Sequence, residues 1–447
     1  MTIGHHHGHP TRDLAWHILS YAEASIDAKA VRVAKHCILD WFAVTLAGYD
    51  EPVARILREE IVPQSRGGAS IVGAASRCSP VDAALINGTT SHGLDYDDVH
   101  ITMLGHPTVS ILPAVLALAE TEGASGEAAL RAFIAGYEAA VVIGGLVMPW
   151  HYEHGFHATA TLGSFGAAAA AGVLLKLDHN QMAMALGLAG TQAAGLKSMF
   201  GTMAKPLHAG KAAANGVFAA RLAKRGFTAN PNVLETAQGF AATQGDRPIP
   251  DVLEFPARGT TVLDTLFKYH AACYLTHSTI EAVAQLCGAN SLAPAQIAAI
   301  DVHVPDGHLR VCNIPSPRTG LEIKFSLRHT AALAAAGIDT ARIDTYSDAM
   351  ADDPVLVELR ERVAVFGDHP AGTGAAVIIR KQDGGVLELD ADVGVPDRDL
   401  DRQTARLAAK FQSLAEPVIG LVRTQRLRAA VDALDDAATV DRLMQLD

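Results

Sequence analysis

Residues 159 to 175 read Thr-Ala-Thr-Leu-Gly-Ser-Phe-Gly-Ala-Ala-Ala-Ala-Ala-Gly-Val-Leu-Leu. The run carries no charge and no proline, and its alanines favour helix. Alanine and glycine also let neighbouring backbones approach closely, so its partners are expected to be helices. The segments around it agree. Asp27 to Ala47 places Val31, Ala34, Cys37, Ile38, Trp41, Phe42 and Leu46 at helical spacing. Ser79-Pro80 is a capping residue followed by proline at a first helical position, and it opens a helix to Gly93. His106-Pro107 precedes the apolar stretch Ser110 to Ala119. Gly126 to Met148, Asn180 to Ala194 and Ala209 to Lys224 continue the series, and only residues 69–73 look extended.

The pattern changes after about residue 255. Ile297 to Val304 and Val363 to Phe366 read as strands. Ala375 to Arg380, the turn Asp383-Gly384-Gly385 and Val386 to Leu389 make a β-hairpin. Helices are expected between them at His277 to Cys287, Leu327 to Gly337 and Pro354 to Arg362, and helix resumes from Asp401. The fold class is therefore mostly α. A large all-helical domain (1–260 and 400–447) accompanies a smaller α+β domain (261–399), in keeping with a length of 447 residues.

Only 19% of residues are charged and 49% are apolar, which gives ample core. No apolar run reaches the roughly 20 residues that span a bilayer, the longest uncharged candidate being Ala158 to Leu175. His5, His6, His7 and His9 stand where a signal peptide would need an apolar stretch, so none is expected, and this cluster reads as a disordered tail. Five scattered cysteines without a CxxC pair indicate neither a disulfide framework nor a zinc site, and point to a reducing, cytoplasmic setting. A formal charge of −12 without a basic run argues against nucleic acid as a partner. No membrane partner is expected either. An acidic chain can still bind a small anion where its few cations converge.

Four segments could carry chemistry. His92-Gly-Leu-Asp95-Tyr-Asp97-Asp98-Val99-His100, followed by Gly105-His106-Pro107, packs three carboxylates and three imidazoles into fifteen residues. Crowded carboxylates raise one another's pKa, and an imidazole can share the proton. The plainer alternative is a polar loop in which Asp97 or Asp98 caps the next helix. In His151-Tyr-Glu-His154-Gly-Phe-His157, His157 borders the alanine-rich helix, whose dipole would favour a neutral imidazole, while His154 reads as a capping residue. Lys205-Pro206-Leu-His208-Ala-Gly210 places a lysine before proline, hence on extended backbone, with the helix opening at Ala209 as a seat for a carboxylate. Cys273 and His277 are four apart and share a face if helical, as a thiolate–imidazole pair or as a buried cysteine beside a bonded histidine. No Rossmann glycine motif, Walker A sequence, nucleophile elbow or pyridoxal framework is present, so no cofactor and no metal is expected.

Read in order, these segments resemble the MmgE/PrpD family. The resemblance runs from near Asp27 to Lys410-Phe-Gln-Ser-Leu-Ala-Glu-Pro-Val418, and is most specific at Asn87-Gly88 through Asp98, His106-Pro107, Lys205 to Gly210, Phe267-Lys268 with Thr276-His277, and Lys324-Phe-Ser-Leu327. It implies a helical and an α+β domain with the site between them, a homodimer, no metal, and proton transfer beside a carboxylate of a small polycarboxylic acid. Members include 2-methylcitrate dehydratase, cis-aconitate decarboxylase and iminodisuccinate epimerase. Carried over by position, the site falls on Asp95, His106, His157, Lys205 and His277, with Cys273 added as a catalytic candidate and His208, Arg318 and Arg328 as substrate contacts. Lys205 and His106 would meet substrate carboxylates and enolate charge, His157 and His277 would exchange protons, and Asp95 would orient an imidazole or carry a proton. Three positions depart from the decarboxylase pattern. Val99 stands for a threonine, Cys273 for a histidine and Arg328 for a tyrosine, and an arginine keeps its proton. These departures turn the expectation toward an epimerase acting on iminodisuccinate or a similar amino-dicarboxylate, with a hydro-lyase or decarboxylase as the alternative. A non-catalytic helical binding protein is the reading from another class.

Overall fold

The computed structural model describes residues 8–445, so the expectation for His5, His6 and His7 lies outside the described residues. His9 does not belong to a loose tail. It is the N-cap of the Pro10–Leu19 helix, with Gly8 N–H donating to Asp251 O at 3.2 Å. Proline at the first helical position makes this start cheap, since its missing N–H would have had no partner there.

The protein is mostly helical and divides into two compact units, residues 1–267 with 399–447, and residues 268–398. Residues 261–267 thus belong with the first unit, not with the second as the composition shift suggested. They run as the Thr261–Asp264 turn, and Leu266 then pairs with Val99 through both backbone groups, at 2.8 and 2.9 Å.

In the first unit every residue of the Ala158–Leu174 helix except Leu174 is buried, as an all-round apolar helix must be. Around it pack Pro107–Glu122, Gly126–Val147 and Ala204–Lys224, the last of which also lies on Pro80–Ser91. Glycine makes the closest of these crossings possible. A Cβ on Gly210 would stand 2.2 Å from Leu85 O, and one on Gly88 2.8 Å from the Cα of Gly210. The roughly 1 kcal/mol that a helical glycine costs relative to alanine is offset by that contact. Gly126–Val147 corrects one expectation: at 22 residues and a mean hydropathy of 1.6 it is long and apolar enough to cross a membrane. Its most apolar 18 residues are nevertheless 78% buried within the protein, as those of a core helix are.

The chain returns to this unit through Leu400–Ile419, which packs on Ala28–Ala47. Here Lys410 is buried, its Nζ 2.6 Å from Asp40 Oδ1 and donating to Tyr96 O at 2.7 Å. A buried pair is tolerable only when both ions have such partners. Gly420, at φ +78°, separates this helix from Leu421–Asp432.

The second unit is a four-stranded sheet in the order Val363–Phe366, Ile297–His303, Ala375–Lys381, Val386–Ala391, with the first pair parallel and the others antiparallel. The expected hairpin is present, closed by Lys381 N–H to Gly385 O at 2.8 Å with Gly384 at φ +87°. Val377 and Ile379 point inward from the central strand, and the His277–Ala289 helix packs over that sheet.

Candidate active site

Four helix ends of the first unit bring the charged groups together. Pro80–Ser91 ends on His92 as its C-cap, while Pro107–Glu122 and Ala158–Leu174 begin on His106 and His157 as N-caps. Ala204–Lys224 carries Lys205 and His208 in its opening turns. That helix begins at Ala204, not Ala209, so Lys205 is helical and the expected carboxylate seat at Ala209 does not exist. The reason is positional: proline in a first turn removes an N–H that has no intrahelical acceptor.

At the centre lies Asp97, buried, with an imidazole on each oxygen. His92 Nδ1 bonds Oδ1 at 2.9 Å, and His106 Nδ1 lies 2.9 Å from Oδ2. Burial resists ionisation of Asp97, but His92 and then His106 outweigh it and hold the carboxyl well below the usual range. Burial pushes His92 down to about 4, against the pull of Asp97. Its Nε2 is buried and has no hydrogen-bond partner among the described residues.

Asp95 occupies the left-handed region at φ +51°, which aspartate tolerates better than most residues. Its exposed carboxylate accepts from Lys205 Nζ at 2.6 Å, and His106 Nε2 stands 3.6 Å from the same oxygen. Lys205, Asp95, His106 and Asp97 thus form one continuous chain of contacts. Asp98 does something else. It receives Thr108 N–H at 3.3 Å and the Thr108 hydroxyl, so it caps the next helix from outside while Asp97 orients the imidazoles. Burial, with Asp40 and Asp97 nearby, raises Asp98 to about 8.

His157 is buried, its ring 6.1 Å from that of His92, and its Nδ1 is 3.0 Å from His208 Nδ1. Burial first, then the neighbouring His92 ring and the Lys205 ammonium, with His106 and His208 beyond, push its pKa far down. The helix dipole invoked from sequence is not needed to explain this. Two neutral rings facing through Nδ1 must share one proton, so whichever donates leaves its own Nε2 as an acceptor. His157 is thereby able to switch between base and acid through its other nitrogen. His154 has no such place: it is exposed, stacked on Trp150 at 3.6 Å, and caps the short Trp150–Glu153 helix at its end, not the alanine-rich helix.

Sequence reasoning singled out Asp95, His106, His157, Lys205 and His208, and the fold gathers all five. It missed His92 and Asp97 as working residues. The signal was their place in the crowded loop, but which of two adjacent buried aspartates faces the imidazoles depended on tertiary contacts. One ligand atom each from His92, Asp95, Asp97 and His106 falls within 4.8 Å of the others, a set able to hold a cation. The Lys205 ammonium already supplies positive charge against Asp95, and Asp97 already serves two imidazoles, so the donors fit a metal poorly. A cavity of about 510 Å³ elsewhere in this unit is lined by His100, Glu254 and Asp264 without a single lysine or arginine. His100 there is fully engaged, with Thr261 O and Thr102 N–H, so the cavity has the wrong sign and no reactive group for an anionic substrate.

The other candidates belong to the second unit. Cys273 and His277 do not lie on one helix, because a Tyr274–Thr276 turn intervenes and His277 opens the helix after it. His277 is buried, its Nε2 3.2 Å from Ala272 O and its ring 4.9 Å from that of His270. Arg328 donates to Asn313 Oδ1 and is half-buried, while Arg318 is exposed, with its backbone N–H on Glu322 Oε2 at 2.6 Å.

Models of the MmgE/PrpD N-terminal domain and C-terminal domain match residues 12–251 and 270–436. The chain belongs to the MmgE/PrpD family. It is 26% identical to the cis-aconitate decarboxylase-like protein oryM of Aspergillus oryzae (strain ATCC 42149 / RIB 40), across 98% of this chain and 97% of that protein. It is 30% identical to a cis-aconitate decarboxylase of Aspergillus terreus over 60% of this chain and 58% of the relative. With the cis-aconitate decarboxylase of Homo sapiens it shares 28% identity over 68% of this chain and 65% of the relative.

Proposed function

We propose that the chain is a lyase acting on a small tricarboxylate of the cis-aconitate type, with protein side chains alone managing charge and protons. This reverses the order expected from the three departing positions, and the names of the relatives support the reversal. The observation that carries the reading is the Lys205–Asp95–His106–Asp97 chain beside an imidazole, His157, kept neutral by burial. When a carboxylate leaves as carbon dioxide, its bonding pair stays on the substrate carbon and spreads onto a neighbouring carboxylate. An ammonium and an imidazole N–H held in fixed positions stabilise that enolate-like charge better than water does. Lys205 and His106 are the groups for this task, with Asp97 fixing the His106 ring. His157 then delivers its Nε2 proton to carbon while its Nδ1 takes the proton of His208 Nδ1, and His208 regains a proton from solvent at Nε2, so neither ring is left as an imidazolate.

Epimerisation of iminodisuccinate or a similar acid is the second reading, favoured by Cys273 and Arg328 standing where proton carriers of another kind were expected. Proton NMR in D₂O with both acid types separates the two. Loss of carbon dioxide or water from the tricarboxylate, with solvent deuterium in the product, supports the lyase. Deuterium entering the α-position of iminodisuccinate with inversion supports the epimerase, and inertness toward both classes sinks both.

A further inference from the structure

The crowded loop after His92 is fastened at several points. Asp95 N–H donates to His92 O at 3.2 Å, Thr108 holds Asp98, and Val99 pairs with Leu266. Between Asp95, at φ +51°, and Asp97 stands Tyr96, which is buried. A non-glycine residue at such a φ persists only where its surroundings hold it. The peptide joining Tyr96 to Asp97 leaves that turn and sets where the Asp97 side chain starts.

A residue from the far end of the sequence holds this peptide. Lys410 Nζ donates to Tyr96 O at 2.7 Å and lies 3.9 Å from the centre of the Tyr96 ring, so one cation grips both backbone and side chain. Asp40 Oδ1, 2.6 Å from the same nitrogen, balances its charge. Lys410 and Asp40 are as buried as Tyr96. For stability alone, well-packed apolar side chains often serve as well as a buried ion pair, or better. An apolar side chain cannot hold a carbonyl, however, and that task accounts for a lysine here.

We propose that Lys410 is a positioning residue for the site: its bond to the Tyr96 carbonyl fixes the Tyr96–Asp97 peptide and so aims Asp97 at His92 and His106. The inference deepens the lyase reading and rests on it for turnover, but not for the placing of Asp97. His92 reports that placing by itself. An ionised carboxylate only accepts hydrogen bonds, so the His92 ring, which meets Asp97 through Nδ1, carries its proton there. Its Nε2 is buried without a hydrogen-bond partner among the described residues, so the contact with Asp97 selects the tautomer.

The test combines ¹⁵N NMR of the histidine rings with steady-state kinetics on the full chain carrying Asp40→Leu and Lys410→Met together. This double variant removes the donor without leaving a lone buried charge. His92 should move from Nδ1–H toward Nε2–H, and kcat on cis-aconitate should fall about tenfold or more while KM stays within about twofold. Asp40→Asn loses the ion pair but keeps the Tyr96 contact, so it should melt earlier with the wild-type His92 tautomer and kcat. A wild-type His92 spectrum in the double variant, a loss confined to KM, or an equal loss in Asp40→Asn overturns the proposal. Should the double variant not fold, Lys410→Arg decides, because it keeps a cation beside Asp40 while its larger head shifts the donor. The His92 tautomer and kcat should then decline together, and a change in either one alone overturns the proposal. If the wild type leaves cis-aconitate untouched, the lyase reading falls while the His92 spectra still decide this one.

Discussion

The two units treat their reactive side chains differently. In the first, the ends of four helices converge, and His92, Asp95, Asp97, His106, His157, Lys205 and His208 are connected by charge or by hydrogen bonds. In the second, polar side chains are occupied locally: Arg328 on Asn313, and His270 between Thr340 at 2.7 Å and Glu281 at 3.1 Å. Helix ends expose unsatisfied backbone groups and bring side chains from distant sequence positions to one place, which makes them natural sites for a charged network. Chemistry that depends on several coupled charges is therefore expected to be most sensitive to substitution in the first unit.

Four substitutions test that contrast. Lys205→Ala should lower turnover by about 10³-fold, roughly 4 kcal/mol of transition-state stabilisation, with unchanged circular dichroism. Steady-state kinetics retaining wild-type rates would displace the site from the first unit. Asp97→Asn should cost about 10²-fold in kcat, because two rings lose the carboxylate that fixes their tautomer, with little change in KM. An effect confined to KM would reduce Asp97 to a structural residue.

Asp98→Asn should leave activity close to normal and alter the pH dependence of stability. With its native pKa raised to about 8, Asp98 binds its proton more tightly folded than unfolded between about pH 4 and pH 8. Its contribution is complete below that window and is lost as pH rises through it. The asparagine variant should thus gain on the order of 4 kcal/mol over the wild type on going from pH 5 to pH 8. Parallel melting curves of the two proteins across that range would refute the assignment. His92, pushed down to about 4, works on the other flank, losing stability as pH falls below its ordinary value. Arg328→Ala is expected to have the smallest effect, about a tenfold rise in KM with kcat retained, or roughly 1.4 kcal/mol. A collapse of kcat as deep as that of Lys205→Ala would erase the distinction between the units.

Much of the architecture was legible because it is locally encoded. Helical spacing, the Ser79-Pro80 start and the Asp383-Gly384-Gly385 turn are short-range signals, and the elements they mark begin or end within a few residues of expectation. What failed was also local in origin. Proline after Lys205 was read as a break when it was a first-turn residue, and a histidine cluster hid the start of a helix at Pro10. A spacing of four between Cys273 and His277 meant nothing once a tight turn replaced the helix. The candidate site was visible as residue types in the right order, yet the division of labour between Asp97 and Asp98 was not. That division is decided by which neighbour each carboxylate meets across the fold.

Lys410 has a consequence for how the protein is made. Its ammonium completes the buried charge of Asp40 and holds the carbonyl of Tyr96, next to Asp97. On a ribosome, Asp40 and the loop emerge early, but their partner follows only after residues 268–398 have been synthesised. At 5–20 residues per second that interval alone lasts roughly 7–26 seconds. Throughout it the nascent first unit holds a carboxylate it cannot bury, so that unit is expected to close only when the last stretch of chain arrives.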